Sequence, residues 1–163
     1  MNKTLRAGHQ NLRKGRVSLA GQIYFITVCC LQRRPLLRSH AAARAAARTL
    51  HQLHADQHVN IHAWVLMPDH LHCLIELGEM QSLPACMGRI NSCVAKAINR
   101  AIDRKGAVWQ GAYFDRAVRR DEDVNAAIGY LLNNPIRAGL VENIEAYPYW
   151  NVSNWDGSVL NLD

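Results

Sequence analysis

Residues 60–77 constrain this chain more than any other segment. Asn60, Ile61, His62, Ala63, Trp64, Val65, Leu66 and Met67 make one strand-like run, and residues 70–77 make another, with only Pro68-Asp69 between them. Proline presets its own φ and aspartate bonds back to nearby backbone, so both are turn formers. Two such runs joined by so short a link predict an antiparallel hairpin. In the second run His70, His72, Leu74 and Glu76 share one face, and Leu71, Cys73, Ile75 and Leu77 share the other. A sheet built on this hairpin therefore carries two imidazoles side by side on one surface.

The rest of the pattern alternates between strand and helix. Residues 22–31, with Ile23, Tyr24, Phe25, Ile26, Thr27 and Val28, predict a central strand. Ser39 is placed to cap an alanine-rich helix running to Asp56, which carries Arg44, Arg48 and His51. Ser82 and Pro84 open a second helix to Asp103 with Ile90, Val94, Ala97, Ile98 and Ile102 as its buried stripe, and with Arg89, Lys96, Arg100 and Arg104 on another, solvated face. A fourth strand is expected near Trp109, Gln110, Tyr113, Phe114, Asp115, Arg116, Arg119 and Arg120. Bases stack on aromatic rings and phosphates pair with arginine, so this segment is a candidate strand contact, with part of its aromatics serving the core. Asp121 caps a short last helix to Asn133, which Pro135 stops, and the remainder is expected to be irregular, with Trp150 and Trp155 folding back onto the domain.

At 163 residues the chain is long enough for one core and short for two. The organisation expected is a basic arm at 1–20, a single domain at 21–150 and a tail at 151–163. The arm carries Lys3, Arg6, Arg13, Lys14 and Arg16 without apolar periodicity, so it either tracks a nucleic-acid backbone or is a solvated tail. A formal charge of +6 favours polyanionic partners. No apolar run reaches membrane-spanning length and the first residues are polar, so a cytoplasmic protein without a membrane segment is expected. Cys29, Cys30, Cys73, Cys86 and Cys93 are odd in number and lack a C-x-x-C spacing, which predicts reduced thiols in place of disulfides or a zinc cluster.

The residues with chemical potential are few. Alternate side chains on a strand stand roughly 7 Å apart at the backbone and converge toward their tips, so His70 and His72 can both reach one divalent cation. Two half-buried structural histidines give the same pattern. Tyr130 and Asn134 lie four apart, on one helical face, where a phenol nucleophile and an amide ligand would complete a metal-assisted site. A tyrosine at a helix end is also a common amphipathic core residue, and Asn134 precedes Pro135, which disfavours helical geometry. Oxygen-loving Mg²⁺ and the more imidazole-tolerant Mn²⁺ are the ions such a set suits. Zinc is not expected, since His62 is the only further histidine nearby.

Taken together, three ordered motifs resemble the REP-associated tyrosine transposases, relatives of the single-tyrosine insertion-sequence transposases. They are Trp64-Val65-Leu66-Met67-Pro68-Asp69-His70-Leu71-His72, then Trp109-Gln110-Gly111, then Tyr130-Leu131-Leu132-Asn133-Asn134-Pro135-Ile136-Arg137-Ala138-Gly139-Leu140-Val141. Arg13-Lys14-Gly15-Arg16 and Gly21-Gln22-Ile23-Tyr24-Phe25-Ile26-Thr27 resemble the same group, so the likeness covers nearly the whole chain. Asp69 stands where close relatives often carry Asn, a conservative change at a turn.

The resemblance implies an α+β, ferredoxin-like or RRM-like antiparallel sheet with helices on one face, the HUH endonuclease fold, and a tyrosine-bearing helix near the histidines. It implies that His70 and His72 form the HUH metal pair with Mg²⁺ or Mn²⁺, that Tyr130 is the nucleophile, and that Asn134 takes the third ligand position. The implied activity is cleavage and rejoining of single-stranded DNA through a 5′-phosphotyrosine, at hairpins of repetitive extragenic palindromes, by a monomer or a homodimer. Arg13, Lys14, Arg16, Arg116, Arg119 and Arg120 are the candidate DNA contacts. Two other readings stand beside it: a non-catalytic hairpin DNA or RNA regulator of the same fold, and a metal nuclease that uses water.

Overall fold

The computed structural model describes residues 19–118 and 124–153. Most of the basic arm, with Arg13, Lys14 and Arg16, lies outside the described residues, as do Arg119, Arg120, Asp121 and Trp155.

Five strands form one sheet: β1 (Ile23–Cys29), β2 (Asn60–Met67), β3 (His70–Glu76), β4 (Phe114–Ala117) and β5 (Trp150–Val152). Their order is β4-β1-β3-β2-β5 and every neighbouring pair is antiparallel. The first four strands, with helices between β1 and β2 and between β3 and β4, give the ferredoxin-like α+β arrangement expected. The hairpin turns where proposed, at Pro68-Asp69, with Met67 opposite His70. Its turn is tied to the chain after β1 by Cys30 N–H donating to the Asp69 carbonyl (2.8 Å) and Leu37 N–H donating to the Pro68 carbonyl (3.0 Å).

Helices α1 (His40–Ala55) and α2 (Leu83–Ala101) cover one face of the sheet. Ser39 Oγ accepts from Ala42 N–H and Ser82 Oγ from Ala85 N–H, so both predicted caps hold. Ala42, Ala46, Leu50 and Leu53 of α1 and Met87, Ile90, Val94 and Ile98 of α2 bury against Ile26, Leu71, Cys73 and Ile75. The stripe on α2 begins earlier than expected, at Leu83, Cys86 and Met87, while Ala97 and Ile102 are only half-buried. Removal of each buried Leu, Ile, Val or Met side chain from water contributes about 1.5–3 kcal/mol, against the entropy of ordering it.

The opposite face is covered by α3 (Val124–Leu132), whose Ala127, Ile128, Leu131 and Leu132 bury against Phe25, Ala63, Val65, Met67 and Leu74. A register shift in β2 between Ile61 and Ala63 serves both cores. His62 is the extra residue, so Ile61 joins Trp64 and Leu66 on the first face while Ala63, Val65 and Met67 turn to the second.

The chain after α3 departs from the expectation of an irregular tail. Pro135 does not merely end the last helix: it lies in the first turn of a separate short helix, α4 (Asn134–Arg137), where its missing N–H is not needed. Beyond it, β5 pairs with β2 through Ala63–Val152, Trp64–Asn151 and Val65–Trp150, so a strand straddles the domain end placed at 150. A three-residue strand is too short to show alternation in sequence. Trp150 does fold back onto the second core, as expected. All five cysteines are free thiols, and among the described residues no helix is long and apolar enough to cross a membrane.

Candidate functional site

The paired histidines meet. His70 and His72 are both half-buried, their ring centroids are 4.6 Å apart with planes at 87°, and their Nε2 atoms are 3.0 Å apart. Each ring is held from behind at Nδ1. His70 Nδ1 is 2.6 Å from Asp69 Oδ1, and since a carboxylate only accepts, Nδ1 donates to it. His72 Nδ1 is 2.8 Å from Thr27 Oγ1, a hydroxyl that donates to one tautomer and accepts from the other. Thr27 reaches it because β1 and β3 set Thr27 directly opposite His72. Burial, then His70 and then Arg33 push the His72 imidazolium down to about 3, so this ring is neutral at physiological pH.

Asp69 is itself anchored, with Arg33 Nε 3.2 Å from its Oδ2. The Arg33 guanidinium also donates to Cys29 Sγ (3.0 Å). Arg33 and the preceding Gln32 both have φ near 56°, a left-handed conformation costly for non-glycine residues. Leu31 N–H donating to the Val108 carbonyl (2.7 Å) and Arg33 N–H donating to the Cys30 carbonyl (2.9 Å) hold the segment in place. Backbone strain is spent on a side chain that orients the carboxylate behind His70.

Tyr130 stands on the same side of the sheet. It is 55% exposed, whereas its helical neighbours Leu131 and Leu132 are buried. Its ring meets Phe25 edge-on at 5.8 Å, and Phe25 in turn lies 5.6 Å from His72, so one buried phenyl separates the phenol from the imidazole pair. The Arg137 guanidinium lies 5.4 Å from the Tyr130 ring centroid. Asn134 Nδ2 donates to the carbonyls of Tyr130 and Leu131 (3.0 Å each), which closes the end of α3 and turns Oδ1 away from those carbonyls. Its hydrogen bonds go to the helix and not to the imidazoles.

The arrangement suits a divalent cation at the two Nε2 atoms. Imidazole nitrogens 3.0 Å apart are close enough for both to bind one such ion. Nδ1 partners that fix ring orientation are the usual support of metal-bound histidine. No group of three His, Cys, Asp or Glu side chains is assembled among the described residues. His62 is removed from consideration: its Nε2 pairs with Glu76 Oε2 at 2.8 Å, at the end of the hairpin remote from the turn.

Of the expected DNA contacts, Arg116 is the one described; it is exposed on β4, its guanidinium 6.0 Å from the Phe25 ring centroid. Trp109 goes to the core, its Nε1–H donating to the Asn91 carbonyl (3.1 Å), and Tyr113 packs against the same core. Sequence reasoning missed Thr27, Phe25, Arg33 and Arg137 as parts of the site. Phe25, Thr27 and Arg137 lie in motifs of the resemblance that gave them no role of their own, and only strand register and loop conformation bring all four in.

The sheet thus carries a histidine pair on one strand of a ferredoxin-like α+β fold, with an exposed tyrosine on a helix across that face. The family model described as "Transposase IS200 like" matches residues 18–134, and the chain belongs to that family of transposases. It is 25% identical over 134 residues to the REP-associated tyrosine transposase of Escherichia coli K12, covering 82% of this chain and 78% of that one. A solved REP-associated tyrosine transposase bound to a REP hairpin superposes with a TM-score of 0.63 at 26% identity, covering 83% of this chain and 79% of that one. A Deinococcus radiodurans R1 protein shares the fold, with a TM-score of 0.53 at 19% identity over 75% of this chain and 96% of that one.

Proposed function

We propose that the protein cleaves and rejoins single-stranded DNA beside a hairpin of the repetitive extragenic palindrome type, with Tyr130 as nucleophile. The observation that carries this is the convergence of the His70 and His72 Nε2 atoms, one ring away from an exposed phenol, in a chain of the IS200-like transposase family. The hairpin substrate is inferred from the solved relative, which holds one.

His70, His72 and the Asn134 amide oxygen would hold Mg²⁺ or Mn²⁺. When bound, such an ion neutralises the charge on the non-bridging phosphate oxygens. The protein residues do the rest. Asp69 and Thr27 keep both Nε2 atoms aimed at one point. Phe25 sets the distance between that point and the Tyr130 ring. The Tyr130 oxygen, having lost its proton, attacks phosphorus; a Tyr130–phosphorus bond forms and the bond from phosphorus to the 3′ oxygen breaks. The leaving 3′ oxygen takes up a proton, and the 5′ end stays on Tyr130. A second 3′-hydroxyl reverses the step onto a new strand with no external energy source, because the phosphodiester is conserved in the linkage.

The test is incubation of the full chain with labelled hairpin oligonucleotide and Mn²⁺ or Mg²⁺, followed by a denaturing gel. A covalent protein–DNA band that disappears in Tyr130→Phe supports the proposal. Cleavage that persists in Tyr130→Phe without a band assigns attack to water, and binding without cleavage assigns the fold to a regulator.

A further inference from the structure

The site described so far grips a phosphate but gives no surface to the base beside it. One row of side chains runs across the sheet from the imidazole pair to β4, the outermost of the described strands on that side. Thr27 is opposite His72 on β3 and opposite Phe114 on β4. Directly opposed residues on antiparallel strands point to the same face. Phe114 therefore shares the face of the histidines, two strand spacings or about 10 Å from His72. Its side chain is 54% exposed. Arg116, two residues on and opposite Phe25, lies on the same face.

We infer that Phe114 is the stacking platform for an unpaired DNA base flanking the phosphate at the histidine pair, with Arg116 taking an adjoining backbone phosphate. This rests on the nuclease reading above. A half-exposed phenyl two residues from an arginine on the same face, in a chain with a +6 charge, matches the pairing of aromatic platform and cation that binds unpaired strands. Every base has a π face, so Phe114 supplies affinity and the register of the strand over the site, not the identity of the base.

The experiment is fluorescence-anisotropy binding of the full chain, without divalent ion, to a hairpin oligonucleotide with an unpaired extension, intact or abasic at one position at a time. Phe114→Leu should weaken binding roughly 5- to 100-fold, and Phe114→Trp should retain it. One abasic position should weaken the unaltered protein by a similar factor and add little to Phe114→Leu. Equal affinity of Phe114→Leu and the unaltered protein, or penalties that add in full at every position, overturns the inference. So does an abasic scan of the unaltered protein with no sensitive position, a measurement that needs no variant to fold. Loss of the covalent adduct with this coupling intact would defeat the nuclease reading alone, and adduct formation without coupling would defeat the stacking alone.

Discussion

His70 and His72 present their Nε2 atoms to one point 3.0 Å apart while Asp69 and Thr27 hold their Nδ1 atoms from behind. Two residues on one face of a strand reach this geometry only because each ring is turned by a partner from a different place in the chain: the hairpin turn for one, the neighbouring strand for the other.

Removal of either ring should abolish binding of Mn²⁺ at the pair. Isothermal titration of His70→Ala or His72→Ala with Mn²⁺ is expected to show no specific site, and cleavage to fall to background, while hairpin affinity stays within a few-fold. Cleavage at an unchanged rate would remove the histidines from the chemistry.

The support behind the rings should matter in proportion. Asp69→Ala frees His70 Nδ1 and leaves Arg33 without its carboxylate, so metal affinity should fall about 10- to 100-fold. Asp69→Asn, which keeps an acceptor for Nδ1–H, should lose less. Equal affinities for all three proteins, by the same titration, would show that the turn does not orient the ring.

Acid should destabilise the metal-free protein through His72. Its folded pKa is depressed to about 3 from an ordinary 6.5, so between these values the unfolded chain binds a proton that the folded chain does not. Stability from this group is thus complete above about pH 6.5 and is lost as pH falls toward 3, at no more than about 1.4 kcal/mol per pH unit. Urea unfolding across this window should show the slope, and His72→Gln should flatten it; an unaltered slope in that variant would assign it to other groups.

Phe25 joins fold and site. It is 8% exposed within the second core, and its ring touches both His72 and Tyr130. Phe25→Ala should cost about 3–5 kcal/mol of stability. Phe25→Leu should retain most of the stability, measured by urea unfolding, yet slow adduct formation at least 10-fold, because the edge contact that sets Tyr130 is gone. Full activity in the leucine variant would show that α3 alone positions the phenol.

Much of this site was legible beforehand because it is written in neighbouring residues. The alternation in 70–77 placed both imidazoles on one face, and Pro68-Asp69 marked the turn. Asp69 was read only as a turn residue; its second task, holding His70 and receiving Arg33, depends on two left-handed residues, Gln32 and Arg33, for which the sequence offers no glycine as a signal. Tyr130 and Asn134 were placed on one face, and they are joined there, but through the Asn134 amide to the helix carbonyls. His62 was weighed as a ligand and turned out to be the extra residue of a register shift, paired with Glu76.

By itself, then, the sequence determined the capped helices, the hairpin, the face each hairpin residue takes, and the motifs that resemble a transposase family. The first three follow from periodicities and capping contacts spanning a few residues, and the last from short strings of residues in a fixed order. Tertiary structure alone decided that β5 lies beside β2, that Thr27 faces His72, that Phe25 spans the gap to Tyr130, and that Phe114 comes onto the histidine face. Those relations join residues tens of positions apart, and they are settled by burying two apolar sheet faces at once, a constraint that no local window of the chain contains.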